Sequence, residues 1–389
     1  MKQLSLKILA SWLLLSMIPN FLANVLADDG ECAQGNLLEH SFNSGAQWTV
    51  CADVNPAHGL DISHVKYRAP GDSSRSVLLH AHLGQILMHY HDQTRAIAQL
   101  GETERADYRL LPMTSENCDG QRLIERDSTA LVCSRMENAP NLAKYGHRPS
   151  LHGENWELSS ALGRGLLTWA VSVTFTEDGQ IRPAVSLSGR PSQFNIDQRF
   201  AEAVPSLFEH ITRATILTTW RLVFDLDKPG GDSVEQFDFS LRPDQGNRRP
   251  MQVSRFTNEA YAKVDRENFR GWRVVDSSSA GYYLDPSNAG FDYRSSEHNW
   301  AQFDLAITRY NACEKYAVAN SSNASTCAQT LDEFMSGEPL QGEHPVLWYS
   351  QSRTLTPSNE HWPVISNFYQ SFALMPFDWT SSSPFELID

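Results

Sequence analysis

Between Leu162 and Ser188 the chain alternates apolar and polar positions with period two. Trp169, Val171, Val173 and Phe175 fall on one face, and Ala170, Ser172, Thr174 and Thr176 on the other. That period predicts a strand with one buried side. Glu177-Asp178-Gly179-Gln180 then supplies turn residues, and Ile181, Val185 and Leu187 resume the alternation, so the stretch is expected to fold as a β-hairpin. Pro183 removes one ladder donor, which places the return strand at a sheet edge or in a bulge.

The start of the chain follows a different pattern. Lys2 and Lys7 precede a mostly apolar run from Ile8 to Leu26, and Val25-Leu26-Ala27 before Asp28 suits a cleavage site, so residues 1–27 read as a secretory signal. The run approaches spanning length, so an uncleaved anchor is the alternative, although Pro19 and Asn20 interrupt it. No other stretch is apolar enough to cross a bilayer. Residues 28–54 carry Cys32, Trp48 and Cys51 and read as a small disulfide-closed extension before one large domain at 55–389. Localisation is therefore expected to be secreted, periplasmic or extracellular, with no stable membrane insertion after cleavage.

Loss of the two signal lysines takes the formal net charge from −14 to −16. Such a surface repels nucleic acid and anionic lipid, and it attracts cations such as amines as well as keeping a protein soluble. Six cysteines in an exported chain point to disulfides. Sequence-local pairing gives Cys32 with Cys51, Cys118 with Cys133, and Cys313 with Cys327, with free buried thiols as the alternative for the outer four.

The densest polar cluster is His80-Ala-His82 followed by His89-Tyr-His91. Two imidazoles at i and i+2 of a strand share a face, one way to hold copper or zinc. Parity sends the two pairs to opposite faces unless Gly84 sits in a bulge. Solvated or core-satisfied histidines are the plainer reading. No GxSxG elbow, HExxH helix, P-loop or CxxC pair occurs.

The C-terminal stretch from Val346 carries the motifs Val346-Leu347-Trp348-Tyr349-Ser350, Pro357, Glu360, Trp362-Pro363, Leu374-Met375-Pro376-Phe377 and Ser383-Pro384. With Gly271-Trp272-Arg273-Val274-Val275, the Trp300–Tyr316 stretch, Leu187-Ser188-Gly189, and Tyr90 with Asp92, this resembles the catalytic domain of copper amine oxidases from about residue 59 onward. The resemblance implies a mainly β chain, a large antiparallel β-sandwich with few helices. It also implies a homodimer, a disulfide between Cys118 and Cys133, and primary-amine oxidation by copper and topaquinone.

The residues for that chemistry do not match. The cofactor-tyrosine position is Leu167, beside Gly165, Leu166 and Thr168, and no tyrosine lies between Tyr145 and Tyr261. The base position falls near Gln99, whose amide cannot take a proton, with Glu102 and Glu104 as nearby carboxylates. The first two copper positions hold Ala214 and Ile216, or Ile216 and Thr218, and the third holds Leu355. Asp225-Leu226-Asp227 matches the family's peripheral calcium site, with His344 in place of an acidic ligand, and an exposed acidic turn is the alternative.

The expectation is a catalytically degenerate copper amine oxidase-like protein that binds a small ligand, cationic if the acidic chain sets the preference. No copper or topaquinone is expected, while calcium fits. Alternatives are a metal-dependent oxidoreductase acting on primary amines through a rebuilt centre at His80, His82, His89 and His91, or a structural assembly partner in the cell envelope.

Overall fold

The computed structural model describes residues 32, 35–92, 96–101, 108–119, 122–143, 151–189, 197–204, 209–226, 231–285, 294, 297–318, 320, 329–356, 358–361 and 364–381. The signal stretch, Asp227, Glu102, Glu104 and Cys327 lie outside them. The predicted mainly β chain is found: two large antiparallel sheets, with one short α-helix, Leu331–Phe334, among the described residues.

The first sheet runs in the order Asn36–Ser41, Gln47–Asn55, Gly59–Arg68, Arg75–Tyr90, Ala214–Phe224, Pro345–Leu355, Leu305–Arg309 and Ala260–Ala262, with Ala96–Ala98 paired to the far end of Arg75–Tyr90. The stretch expected to stand apart as an N-terminal extension instead supplies the outer strands of this sheet. Gln47–Asn55 pairs directly with Gly59–Arg68, because its alternating apolar residues need the same core. The Cys32–Cys51 and Cys118–Cys133 disulfides are formed, and Cys313 is also disulfide-bonded.

The second sheet contains the predicted hairpin, Leu167–Thr176 with Ile181–Gly189, in the register Phe175 to Ile181 through Leu167 to Gly189. Leu151–Arg164 and Thr129–Ala143 extend it on one side, and the C-terminal strands Ile365–Ser371 and Ala373–Phe377 on the other. Pro183 is therefore not on a sheet edge. The outer partner changes there, from Leu374 opposite Ile181 to Ser371 opposite Ala184, with Phe372 at the break donating to the Pro183 carbonyl. A missing N–H costs little where the neighbouring strand itself is interrupted.

The sheets pack face to face through aromatic residues. Trp48 of the first meets Phe175 of the second with ring centroids 5.0 Å apart, and Trp156, opposite Phe175 on the neighbouring strand, lies 5.3 Å from the same ring. Polar clamps fix the hairpin turn to the first sheet: Trp48 Nε1 donates to the Thr176 carbonyl at 2.8 Å, and the Tyr67 hydroxyl to the Glu177 carbonyl at 2.9 Å. Gly179, at φ +85°, lets the turn lie against the Tyr67 ring, where a Cβ would be 2.8 Å from Cε1.

Phe175 has no exposed surface and packs against both Trp48 and Trp156. Phe175→Ala is expected to lower stability by about 4 kcal/mol in equilibrium urea unfolding. A loss below about 1 kcal/mol would show that this contact does not hold the sheets together.

Candidate functional site

At the positions the resemblance assigns to cofactor and copper, the side chains are aliphatic and packed. Leu167 opens its strand opposite Gly189 and Arg164 and is 8% exposed. Ile216 is fully buried between Met88 and Arg353 on the neighbouring strands. Leu355, half-buried, faces Ala214 on the adjacent strand, so the two candidate copper positions sit two residues apart in register on one face. Leu167 and Ile216 belong to one apolar core, and Leu355 packs against it. In the alternative register, Thr218 is buried and its hydroxyl donates to Gln370 Oε1 at 3.0 Å. Copper needs imidazole-type donors and topaquinone needs a phenol, and these residues fit neither group.

Gln99 is buried beside the same region. Its Oε1 accepts from Arg164 Nη1 at 3.0 Å and its Nε2 donates to the Ile97 carbonyl at 3.1 Å, which makes it part of a hydrogen-bonded wall. Burial pushes the neighbouring Tyr90 phenol up to about 12.

The four strand histidines divide into two groups. The bulge conditionally expected at Gly84 is present: the pairing steps from Gln85 opposite Thr219 to Leu83 opposite Trp220, leaving Gly84 as the extra residue. A Cβ there would meet the Trp348 ring at 2.9 Å. Even so, the four do not converge, because seven residue steps of extended chain place His82 and His89 about 20 Å apart. His89 and His91 keep to the far end, their rings 5.8 Å apart, with His91 Nε2 2.9 Å from the Thr215 hydroxyl.

His80 and His82 instead join two residues that no sequence motif marked, His58 and Asp61. Asp61 lies directly opposite His82 on the adjacent strand, and His58 stands in the turn that precedes that strand. His58 Nε2 is 3.1 Å from one Asp61 oxygen and His80 Nε2 is 2.5 Å from the other. His82 Nδ1 lies 3.2 Å from His80 Nδ1, its Nε2 reaches the Lys315 carbonyl at 2.8 Å, and His58 Nδ1 reaches the Tyr316 hydroxyl at 2.8 Å. Burial, and then the neighbouring rings of His58 and His80, holds the pKa of His82 well below the ordinary 6.5. Burial alone would raise the Asp61 carboxyl, but hydrogen bonds from His58 and His80 outweigh it and hold the group well below its usual range.

A second cluster contains Asp225. With Asp232 and His344 it forms the other group of metal-type side chains that gather closely among the described residues. His344 Nδ1 lies 3.7 Å from Asp225 Oδ1. Asp232 Oδ2 accepts from the Leu226 amide at 2.9 Å, whereas the buried Oδ1 atoms of both aspartates have no hydrogen-bond partner. Burial, followed by the Asp225 charge, raises the Asp232 carboxyl to about 6. Carboxylates gathered within 4.8 Å, each with an orphaned oxygen, suit a hard cation. Asp232, which sequence spacing did not mark, also lines a cavity of about 520 Å³ with Arg255, Phe256, Asn258 and Gln341.

Residues 168–386, more than half of the chain, match the family described as copper amine oxidase, enzyme domain. No curated protein sequence matches. Among solved structures, a copper-containing benzylamine oxidase from Hansenula polymorpha is 15% identical with a TM-score of 0.67, covering 88% of this chain and 62% of its own. The Aspergillus nidulans amine oxidase is 18% identical with a TM-score of 0.64, and the Pichia pastoris lysyl oxidase is 12% identical with the same score. Each covers 87% of this chain and 52% of its own length. This chain therefore spans only about half to three-fifths of the structures it resembles.

The buried neutral His82 has a consequence for pH. The unfolded chain takes up a proton at about 6.5 that the folded chain refuses, so stability is full above that value and falls as pH drops through it. The stabilising Asp61 carboxylate adds a further loss only toward the ordinary carboxylate range, near 3.8. Measured by circular dichroism between pH 8 and 5, the midpoint of the wild-type protein is expected to fall relative to that of His82→Asn below about 6.5, whatever the raised Asp232 and Glu314 carboxyls add in the opposite direction to both. A wild-type minus variant difference that stays constant with pH would show that His82 contributes nothing to the dependence.

Proposed function

Because this chain belongs to the copper amine oxidase family, matched over its enzyme domain, we propose that it is an exported member that performs no copper-topaquinone chemistry and acts by binding a small cationic ligand. One observation carries the reading: Leu167, Ile216 and Leu355, at the cofactor and copper positions, form part of an apolar core. A phenol oxidised to a quinone, and imidazoles to hold copper, have no replacement among these side chains.

The cation preference rests on the second cluster and on the charge of the chain. The cavity beside Asp232 is within the ordinary size range of small-molecule sites, about 300–1,000 Å³. Asp232 forms part of its wall and Asp225 stands behind it, both with an oxygen lacking a hydrogen-bond partner. The acidic net charge, −14 for the full sequence and −16 without the two signal lysines, adds a long-range pull of the same sign. A primary ammonium group there replaces the missing hydrogen bonds. Calcium is the competing occupant, since the same oxygens are hard donors, although His344 is a poor calcium ligand. The homodimer implied by the resemblance belongs to the same proposal.

Protein prepared with added copper is expected to contain no stoichiometric copper by elemental analysis and to give no quinone stain. A positive stain would refute the reading. In thermal-shift titrations, 1-aminobutane should raise the unfolding midpoint while 1-butanol does not, and Asp232→Asn should abolish the difference. Stabilisation by calcium with no response to the amine would assign the cluster to the metal and overturn the ligand class.

A further inference from the structure

Three imidazoles and a carboxylate around one buried point are more than a hydrogen-bonded core requires. We propose that His58, Asp61 and His82, with His80 available as a fourth donor, form a site for a single zinc-class divalent ion, separate from the family copper positions. The assignment does not depend on the ligand proposed above.

Donor geometry is the first argument. One ligand atom from each of His58, Asp61 and His82 lies within 4.8 Å of the others, without any movement of the chain. His82 Nδ1 and His80 Nδ1 are 3.2 Å apart. Two nitrogens bound to one tetrahedral zinc at about 2.0–2.1 Å stand about 3.3–3.4 Å apart. Asp61 spans the same space, with one oxygen toward His58 and the other toward His80.

The supporting contacts give a second argument. A carbonyl only accepts, so the His82 Nε2 contact with Lys315 fixes the proton on Nε2 and leaves the Nδ1 lone pair aimed into the cluster. The Tyr316 hydroxyl does the equivalent for His58, since it can accept from Nδ1 when Nε2 holds an ion. Both histidines that need orienting are thus held from behind by an oxygen, the arrangement that fixes the tautomer of metal-bound imidazole.

Charge and access complete the case. His58 and His82 are 2% and 1% exposed, while the Asp61 and His80 side chains retain 21% and 29% exposure, which gives an ion a path to donors that water does not otherwise reach. The buried Arg221, opposite His82 on the next strand, opposes a cation, but the Asp61 carboxylate offsets that charge. A donor set dominated by imidazoles, up to three with one carboxylate, selects zinc-class ions over calcium or magnesium, unlike the carboxylate-dominated Asp225 and Asp232 cluster.

The test uses full-length protein, stripped with a chelator and titrated with Zn²⁺ against a competing chromophoric chelator, with Mg²⁺ as control. One zinc per chain is expected, with no response to Mg²⁺. His82→Ala and His58→Ala should each weaken binding about 100-fold or more. Asp61→Asn, which keeps the side-chain shape, should lose the ion while its circular dichroism matches wild type. His91→Ala and Asp232→Asn should bind as wild type does. Absence of zinc uptake by the wild-type protein, undiminished uptake by Asp61→Asn, or loss of zinc in Asp232→Asn would each overturn the assignment.

Discussion

A strand with no face in water governs this structure. Ala214–Phe224 is buried along all eleven of its residues, between Arg75–Tyr90 on one side and Pro345–Leu355 on the other. A polar group there must find a protein partner or carry its full desolvation cost, about 1–3 kcal/mol for a neutral group. The chain meets that demand along the strand. Thr215 lies 3.0 Å from Thr354, Thr218 donates to Gln370 at 3.0 Å, and Thr219 lies 2.8 Å from Ser350. Because each partner stands on a neighbouring element, the requirement also fixes how the C-terminal strands seat.

Arg221 is the most demanding residue on that strand. Burial lowers its guanidinium to about 10, and its neighbours compensate in part. Nη2 donates to the Asn311 carbonyl at 3.1 Å, and the group lies 5.5 and 5.6 Å from the ring centroids of Tyr310 and Trp348. Asp61, His82, Arg221 and Trp348 form one register row across four strands. Three of the four side chains in that row are polar or charged, whereas Leu167, Ile216 and Leu355 contribute to the apolar core.

What the sequence disclosed follows the range of the physics involved. The hairpin at Leu167–Gly189 was legible because alternation and turn chemistry are local. The bulge at Gly84 was legible as a condition, since side-chain parity around a glycine states what a bulge would do without showing that it forms. The sheet identities came from the resemblance, carried by C-terminal motifs. His58, Asp61 and Asp232 were not legible: Asp61 meets His82 only through the register of the next strand and His58 joins from the turn before it, while Asp232 meets His344 far along the chain, and no spacing rule encodes either arrangement. Pro183 was misplaced for the same reason, because the interruption that tolerates it lies in a strand near residue 372.

The change of partner opposite Pro183 also bears on how the molecule is made. The hairpin strand Ile181–Gly189 is complete only when Ile365–Ser371 and Ala373–Phe377 have both docked, and Thr218 waits for Gln370 across 152 residues. Contacts this distant in sequence carry a loop-closure cost before they return any stabilisation, so the chain belongs among the slow folders. A nascent chain that has released its first 340 or so residues still exposes the open edge of Ala214–Phe224 and of the hairpin, both ready templates for other strands. Synthesis therefore passes through a long interval in which the final strands have yet to arrive and the most adhesive edges are uncovered.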